Sequence, residues 1–394
     1  MIIGPARVIT GGQEPRVIED GGIRVQGAHI AQVGPIGPLA TAYPDETLWP
    51  AGGRLLLPGL VNAHAHLARH LARGLSLQSR VEWERYDRAL APEDVRCAAR
   101  AALIEGLRYG ITTTCDLHRS GTFVDFSLSE VAEAARQVGV RVATAYAAHE
   151  DDPEDQRRAA FDESLGLASE LRRLRHGRVH ALLGMRARTP AGLSRGLDEM
   201  DERAPAGVGV HVELSTESSS HDRWLDRSIE RRSVWAHVEH MWNGLQRDLE
   251  RAPALPVEGP GAALQDAPLA WGSDSGVHAP PTLEPWASRP ASRLHYRRVM
   301  ISGARWAEHV FGEGLGVLEP GAPADLILLD YHPATELDAS TLEQHLAACV
   351  GRAAVSGAMV AGDIVMDRGV LVTVDEGEVA ARARECARRV WRRL

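Results

Sequence analysis

The 394-residue sequence contains no lysine, so all 44 basic residues are arginine. That absence excludes a Schiff-base lysine, the phosphate-gripping lysine of a P-loop and a carboxylated lysine bridging two metal ions. Cysteine is scarce as well. Cys97, Cys115, Cys349 and Cys386 are spread along the chain without a CxxC pair. This argues against a disulfide framework or a thiolate zinc knuckle and predicts a reducing, cytoplasmic setting. No run reaches the ~18 consecutive apolar residues of a membrane span. The opening MIIGPARVITGG has neither the basic start nor the apolar stretch of a secretory leader. The formal net charge is −9 and the arginines do not cluster, so neither nucleic acid nor a membrane is an expected partner.

What is present is a globular chain, 44% hydrophobic and 25% charged, with enough core for one large domain or two of ordinary size. Residues 1–57 alternate short β-type runs with glycine turns, and the same texture returns over 320–380 in ADLILLD and AAVSGAMVAGDIVMDRGVLVTV. The two ends are expected to form one small composite β-sandwich. Between them, over 58–319, β-branched runs alternate with stretches of helical apolar spacing. Strands are predicted near 58–63, 111–116, 140–148, 178–185, 207–213 and 233–238, with two more before 276. Repeated strand–helix units predict a parallel sheet, and eight of them close a (β/α)8 TIM barrel with its active site at the C-terminal strand ends. Residues 381–394 continue an amphipathic, arginine-rich helix expected to pack on the barrel.

Polar residues recur at these strand ends. In LLLPGLVNAHAHL, His64 and His66 lie two apart on a strand and so face the same way. His211 ends the fifth strand in VGVHVEL, His237 the sixth in VWAHVEH and Asp274 the eighth in LAWGSDSG. Neutral imidazoles with a carboxylate suit zinc, and three protein ligands plus a water leave a reactive position open.

This pattern resembles the amidohydrolase superfamily, and the resemblance spans nearly the whole chain. The stretch RGLSLQSRVEWERYDRALAPEDVRCAARAALIEGLRYGITTTCDLHRS is most similar to the SsnA-like and chlorohydrolase-type aminohydrolases. The resemblance implies one divalent metal ion, zinc with iron as the alternative, held by His64, His66, His211 and Asp274. His237 would face the activated water or the substrate, His240 matches a histidine often found three residues later, and Asp274 would accept the water's proton. The implied activity is cleavage of a C–N bond in a small molecule, with deamination of a nitrogen heterocycle ahead of hydrolysis of a cyclic amide or another leaving group. A barrel that keeps the fold as a non-hydrolytic accessory subunit is the rival from another class.

Two departures matter. Deaminases of the superfamily place a glutamate three residues after the fifth-strand histidine, where this chain has Leu214. Glu213 stands one residue early and is expected to point away from His211, while Glu217 in the following loop could fold back. The span from His240 to Asp274 is also short. It accommodates a helix at WNGLQRDLER and a seventh strand at ALPVE, with Glu258 at its rim. The thin wall there predicts a second copy covering it, as in a homo-dimer. His118 could reach substrate but is expected to be a solvated loop residue, and His149, His278 and Asp116 are evenly balanced. Trp83, Trp235 and Trp242 are expected in core or lid packing.

Overall fold

The computed structural model describes residues 1–174, 177–203, 208–214, 233–237, 254–258, 270–274, 297–312, 314–350 and 352–394. The chain starts with β1 (Ile2–Ile9), β2 (Val17–Gln26), β3 (His29–Pro35), α1 (Ile36–Ala42), β4 (Leu48–Pro50) and β5 (Leu55–Pro58). β2 pairs antiparallel with β1 and β3, and β1 runs parallel to β4 and β5. All four residues of β5 are buried, as expected of an unbroken apolar run covered on both faces.

The barrel follows as β6 (Leu60–Ala65), β7 (Ile111–His118), β8 (Arg141–His149), β9 (Val179–Ala181) with β10 (Leu183–Ala187), β11 (Val210–Leu214), β12 (Ser233–Ala236), β13 (Ala254–Glu258) and β14 (Ala270–Trp271). Its neighbours are all parallel. β9 and β10 are one strand position interrupted at Leu182, so the ring has the eight positions of a (β/α)8 barrel. The last gap is closed by backbone at Asp274. Its N–H donates to the His64 carbonyl (3.1 Å), and its carbonyl accepts from the His66 N–H (2.9 Å). The seventh strand lies where ALPVE was expected, while the WNGLQRDLER stretch falls outside the described residues.

Helices α2 (Arg80–Ala89), α3 (Pro92–Arg108), α4 (Ser127–Val138), α5 (Glu154–Leu174) and α6 (Pro190–Arg203) form the outer layer. α3 shows why these segments are helical. Proline occupies its first turn and the Asp94 carboxylate accepts the Ala91 N–H. Val95, Ala99, Leu103 and Leu107, one every four residues, then form its buried stripe. Inside the barrel the layers are small: Ala63, Cys115, Ala143, Ala145 and Ala147 meet there, with Trp306 and Phe311 of α7 (Gly303–Phe311).

The chain then returns to the first sheet through β15 (Leu326–Leu329), α8 (Leu342–Cys349), β16 (Val355–Val360), β17 (Asp363–Asp367) and β18 (Val370–Leu371), and ends in α9 (Glu376–Arg393). β15 pairs antiparallel with β5, so both chain ends share a single sheet in the order β18-β17-β16-β15-β5-β1-β2-β3, with β4 beside β1. This sheet is bolted to the barrel by a buried ion pair. Arg141, at the start of β8, donates to both carboxylate oxygens of Asp325 at 2.7 and 3.0 Å. No described helix is long and apolar enough to cross a membrane.

Candidate metal and catalytic site

The C-terminal ends of β6, β12 and β14 converge on His64, and so does His211, which is the second residue of β11 rather than its end as expected. Its ring centroid lies 4.9 Å from that of His66, 5.0 Å from His211 and 5.2 Å from His237. The alternation of β6 also brings Asn62 to this face, where its side-chain amide donates to Ser273 Oγ (2.8 Å) and its carbonyl oxygen accepts the Ser273 N–H (3.1 Å). Asn62 thereby ties β6 to the residue before Asp274. It shares the spacing of His64 and His66 in VNAHAH, and that spacing was the signal for it in the sequence. Gly272 is required by the same close approach, because a β-carbon there would lie 2.7 Å from His64 Cβ.

His66 is aimed by its far side. Its Nδ1–H donates to the Leu117 carbonyl at 2.7 Å, which leaves Nε2 as a lone-pair donor facing the centre. There it meets Asp274 Oδ1 at 3.3 Å and Glu213 Oε2 at 3.6 Å. Asp274 Oδ1 also lies 3.9 Å from His237 Nε2. The Nε2 atoms of His64 and His66 are buried without any hydrogen-bond partner. Ligand atoms of His64, His237 and Asp274 lie within 4.8 Å of one another, as do those of His64, His66 and Glu213. Orphaned imidazole nitrogens beside two carboxylates are a donor set that fits a divalent ion of the zinc type. His211 makes different contacts: its Nε2 is 2.9 Å from His64 Nδ1, and its Nδ1 is 3.2 Å from Cys115 Sγ.

Electrostatics favour the ligating forms. Burial, reinforced by the neighbouring imidazoles, holds His64 well below the ordinary histidine value and brings His211 down to about 3, so both rings are neutral. Burial opposes ionisation of Asp274 and Glu213, but the surroundings overcome it. The imidazoles of His237 and His66 lie beside Asp274, and Arg186 stands 3.2 Å from Glu213, so both carboxyl groups are held below the usual range. His237 and Asp274 have φ of +60° and +54°, a left-handed backbone that non-glycine residues seldom adopt and that collects at functional sites.

Comparison with known proteins agrees with this geometry. The model of the Amidohydrolase family matches residues 55–239. A 5-methylthioadenosine/S-adenosylhomocysteine deaminase of Pelotomaculum thermopropionicum is 25% identical over 442 aligned positions, covering 100% of this chain and 99% of the relative. Residues 55–239 thus carry the pattern of the Amidohydrolase family, and the similarity to one deaminase runs the length of the chain. Its fold is similar to that of a mutant atrazine chlorohydrolase of Arthrobacter aurescens solved with zinc and atraton (TM-score 0.75, 19% identity, 98% of this chain and 99% of that one). It is equally similar to an adenosine deaminase of Xanthomonas campestris with bound zinc (TM-score 0.75, 19% identity, 99% and 98%).

Within this site the expectation for Glu213 is corrected. Its side chain points toward the histidines, because residues 211 and 213 are two apart on β11 and share a face. Leu214, at the superfamily's glutamate position, points into the outer core instead. His118 is also corrected: it is 1% exposed rather than solvated, packed edge-on against Tyr146 and bonded to Ser120 Oγ at 3.1 Å. Asp116 is buried and accepts the Leu67 N–H and the Thr144 hydroxyl, each at 2.8 Å, which fixes the turn just after His66. His149 is buried too. Trp235 lies in the core and Trp83 stacks near the Arg69 guanidinium, 4.9 Å from ring centroid to Cζ. Sequence reading missed Arg69, whose buried bidentate pair with Asp87 anchors that same turn, and Arg186. Glu258 ends β13, with its side chain outside what is described; Glu217, His240, His278 and Trp242 lie outside the described residues.

Proposed function

We propose that the chain is a metal-dependent aminohydrolase that deaminates an amino-substituted nitrogen heterocycle, with 6-aminopurine nucleosides as the first substrate class. The observation that carries this is the convergence of His64, His66, His237, Asp274 and Glu213 at one mouth of the barrel, with two imidazole nitrogens buried and unpartnered. The full-length similarity to a 5-methylthioadenosine/S-adenosylhomocysteine deaminase supports the substrate class. His64, His66 and Asp274 would hold a single zinc ion, and His211, already against His64, is the remaining imidazole of the set. Such an ion supplies a water whose pKa falls from 15.7 toward about 7.

The chain's own groups then divide the proton work. Asp274 is ionised at neutral pH and takes the proton of the attacking water. His237, beside Asp274, orients that water and faces the carbon under attack. Glu213 is anchored by Arg186 and reaches the same centre, so it takes over delivery of a proton to the ring nitrogen or the departing amine, the task of the glutamate that Leu214 replaces. Burial of His64, His66, His211 and Glu213 limits the access of bulk water to these transfers.

The test is ammonia release by zinc-loaded protein from 5′-methylthioadenosine, S-adenosylhomocysteine, 5′-deoxyadenosine and adenosine, run beside amino- and chloro-substituted triazines. Deamination of a purine nucleoside is expected. Leu214 favours one second reading, loss of a leaving group that needs no protonation. Chloride release from a triazine without ammonia from any nucleoside would establish that reading and overturn the first.

A further inference from the structure

Cys97 on α3 and Cys386 on α9 are remote in sequence, yet the fold sets their sulfurs within 4.8 Å of each other and of a Glu93 carboxylate oxygen. Both thiols sit in a small apolar cluster with Leu71 and Ala98, Cys97 7% exposed and Cys386 fully buried. Arginines crowd the polar side of this cluster. Arg389 Nη2 lies 3.1 Å from Cys386 Sγ and 2.8 Å from Glu93, which Arg382 also pairs. Arg389 and Arg393 both reach Asp94, at 3.3 and 2.8 Å. A divalent cation would have to sit against these guanidinium groups, and its carboxylate ligand is already neutralised, so the trio is badly arranged as a metal site. The same positive field suits a thiolate.

The two thiols are also inequivalent. The hydrogen bond from Cys386 holds Cys97 below the ordinary thiol range, while that bond pushes Cys386 up. Elsewhere burial dominates: with the Asp116 charge it raises Cys115, and against two backbone hydrogen bonds it takes Cys349 to about 12. Cys97, 7% exposed where Cys386 has no exposed surface, is the thiol that peroxide reaches first, and Cys386 stands beside it to resolve the product.

We propose that Cys97 and Cys386 form a reversible disulfide under peroxide, fastening the C-terminal helix to the barrel helix behind the metal site. The Cys97 thiolate attacks one oxygen of hydrogen peroxide, the O–O bond breaks, and a sulfenic acid forms with loss of hydroxide, which takes up a proton as water. The Cys386 sulfur then attacks the Cys97 sulfur, the S–O bond breaks, and a second water leaves with the Cys386 proton. Two thiols are oxidised by two electrons in total, and one peroxide is reduced to two waters. The clamp bears on the active site through α9, because Trp391 Nε1–H donates to the Leu71 carbonyl at 2.8 Å, in the turn that begins immediately after His66.

Full-length protein treated with hydrogen peroxide, then denatured and alkylated, should yield one cross-linked pair of peptides containing Cys97 and Cys386, 2 Da lighter than their sum and released by dithiothreitol. Cys115 and Cys349 should be alkylated in full. Cys386→Ser should leave a trappable sulfenic acid on Cys97, whereas Cys97→Ser should leave Cys386 reduced. Limited proteolysis of wild-type protein should cut α9 several-fold more slowly after oxidation. Four alkylatable thiols after peroxide, or a cross-link through Cys115 or Cys349, would overturn the proposal. So would a second equivalent of metal per chain that Cys97→Ser abolishes, since that outcome assigns the trio to a cation.

Discussion

Asp274→Asn separates two jobs that one residue performs. The backbone of Asp274 closes the barrel through its bonds to His64 and His66, and these bonds do not depend on the side chain. Its φ of +54° lies in the left-handed region, where asparagine is as well tolerated as aspartate, so the substitution adds no backbone strain. The amide keeps an oxygen to ligate and nearly the same volume, but it cannot accept a proton. If Asp274 is the general base, the variant should retain most of its metal and lose about 100-fold or more in turnover, about 2.7 kcal/mol of barrier. His66→Ala removes one of the two orphaned nitrogens and should lose metal and turnover together. Asp274→Ala would add to the lost carboxylate a backbone cost of about 1–2 kcal/mol, because alanine disfavours that φ. The assay is metal content by plasma mass spectrometry alongside initial rates of ammonia release, each variant measured on one preparation. A purely structural Asp274 predicts near-normal turnover with a stability loss of about 1 kcal/mol. Full metal occupancy with wild-type turnover in Asp274→Asn would refute the general-base assignment.

Three further outcomes test the architecture around the site. Burial brings His118 down to about 3 against 6.5 for the ordinary side chain, so the unfolded chain takes up a proton below about pH 6.5 that the folded chain refuses. His118 therefore makes stability fall as pH drops, and His118→Gln should flatten the stability–pH slope between pH 6 and 4 by about 1.4 kcal/mol per pH unit; parallel slopes in urea melts would exclude this role. Gly272→Ala places a β-carbon 2.7 Å from His64 Cβ and 2.9 Å from its carbonyl oxygen, so β14 must back away from β6. The expected loss is about 1–3 kcal/mol together with reduced metal content, and an unchanged Tm with full occupancy would show that the strands do not meet so closely. Asp325→Ala strands the buried Arg141 guanidinium and should cost about 3–5 kcal/mol in denaturant unfolding. Arg141→Met with Asp325→Ala should recover much of that, and a double variant no more stable than the single one would contradict the account.

The sequence alone determined everything that follows from a repeating backbone. Side chains two apart share a strand face, so VNAHAH was bound to present His64 and His66 together. An apolar run such as LLLP reads as a doubly covered strand, and alternation of strands with helical spacing leads to a parallel barrel with its polar residues at one rim. The same rule would have turned Glu213 toward His211. Other facts belong to tertiary structure alone. Ser120, Tyr146 and the strand ends around it bury His118, though CDLHRS by itself looks like a solvated loop. The meeting of Cys97 with Cys386, of Arg141 with Asp325 and of Asn62 with Ser273 joins residues whose separation in sequence carries no signal. Local periodicity is dictated by the geometry of one residue following the next. Which remote surfaces come together is decided by how whole helices and sheets pack, and there a buried charge or thiol finds its partner.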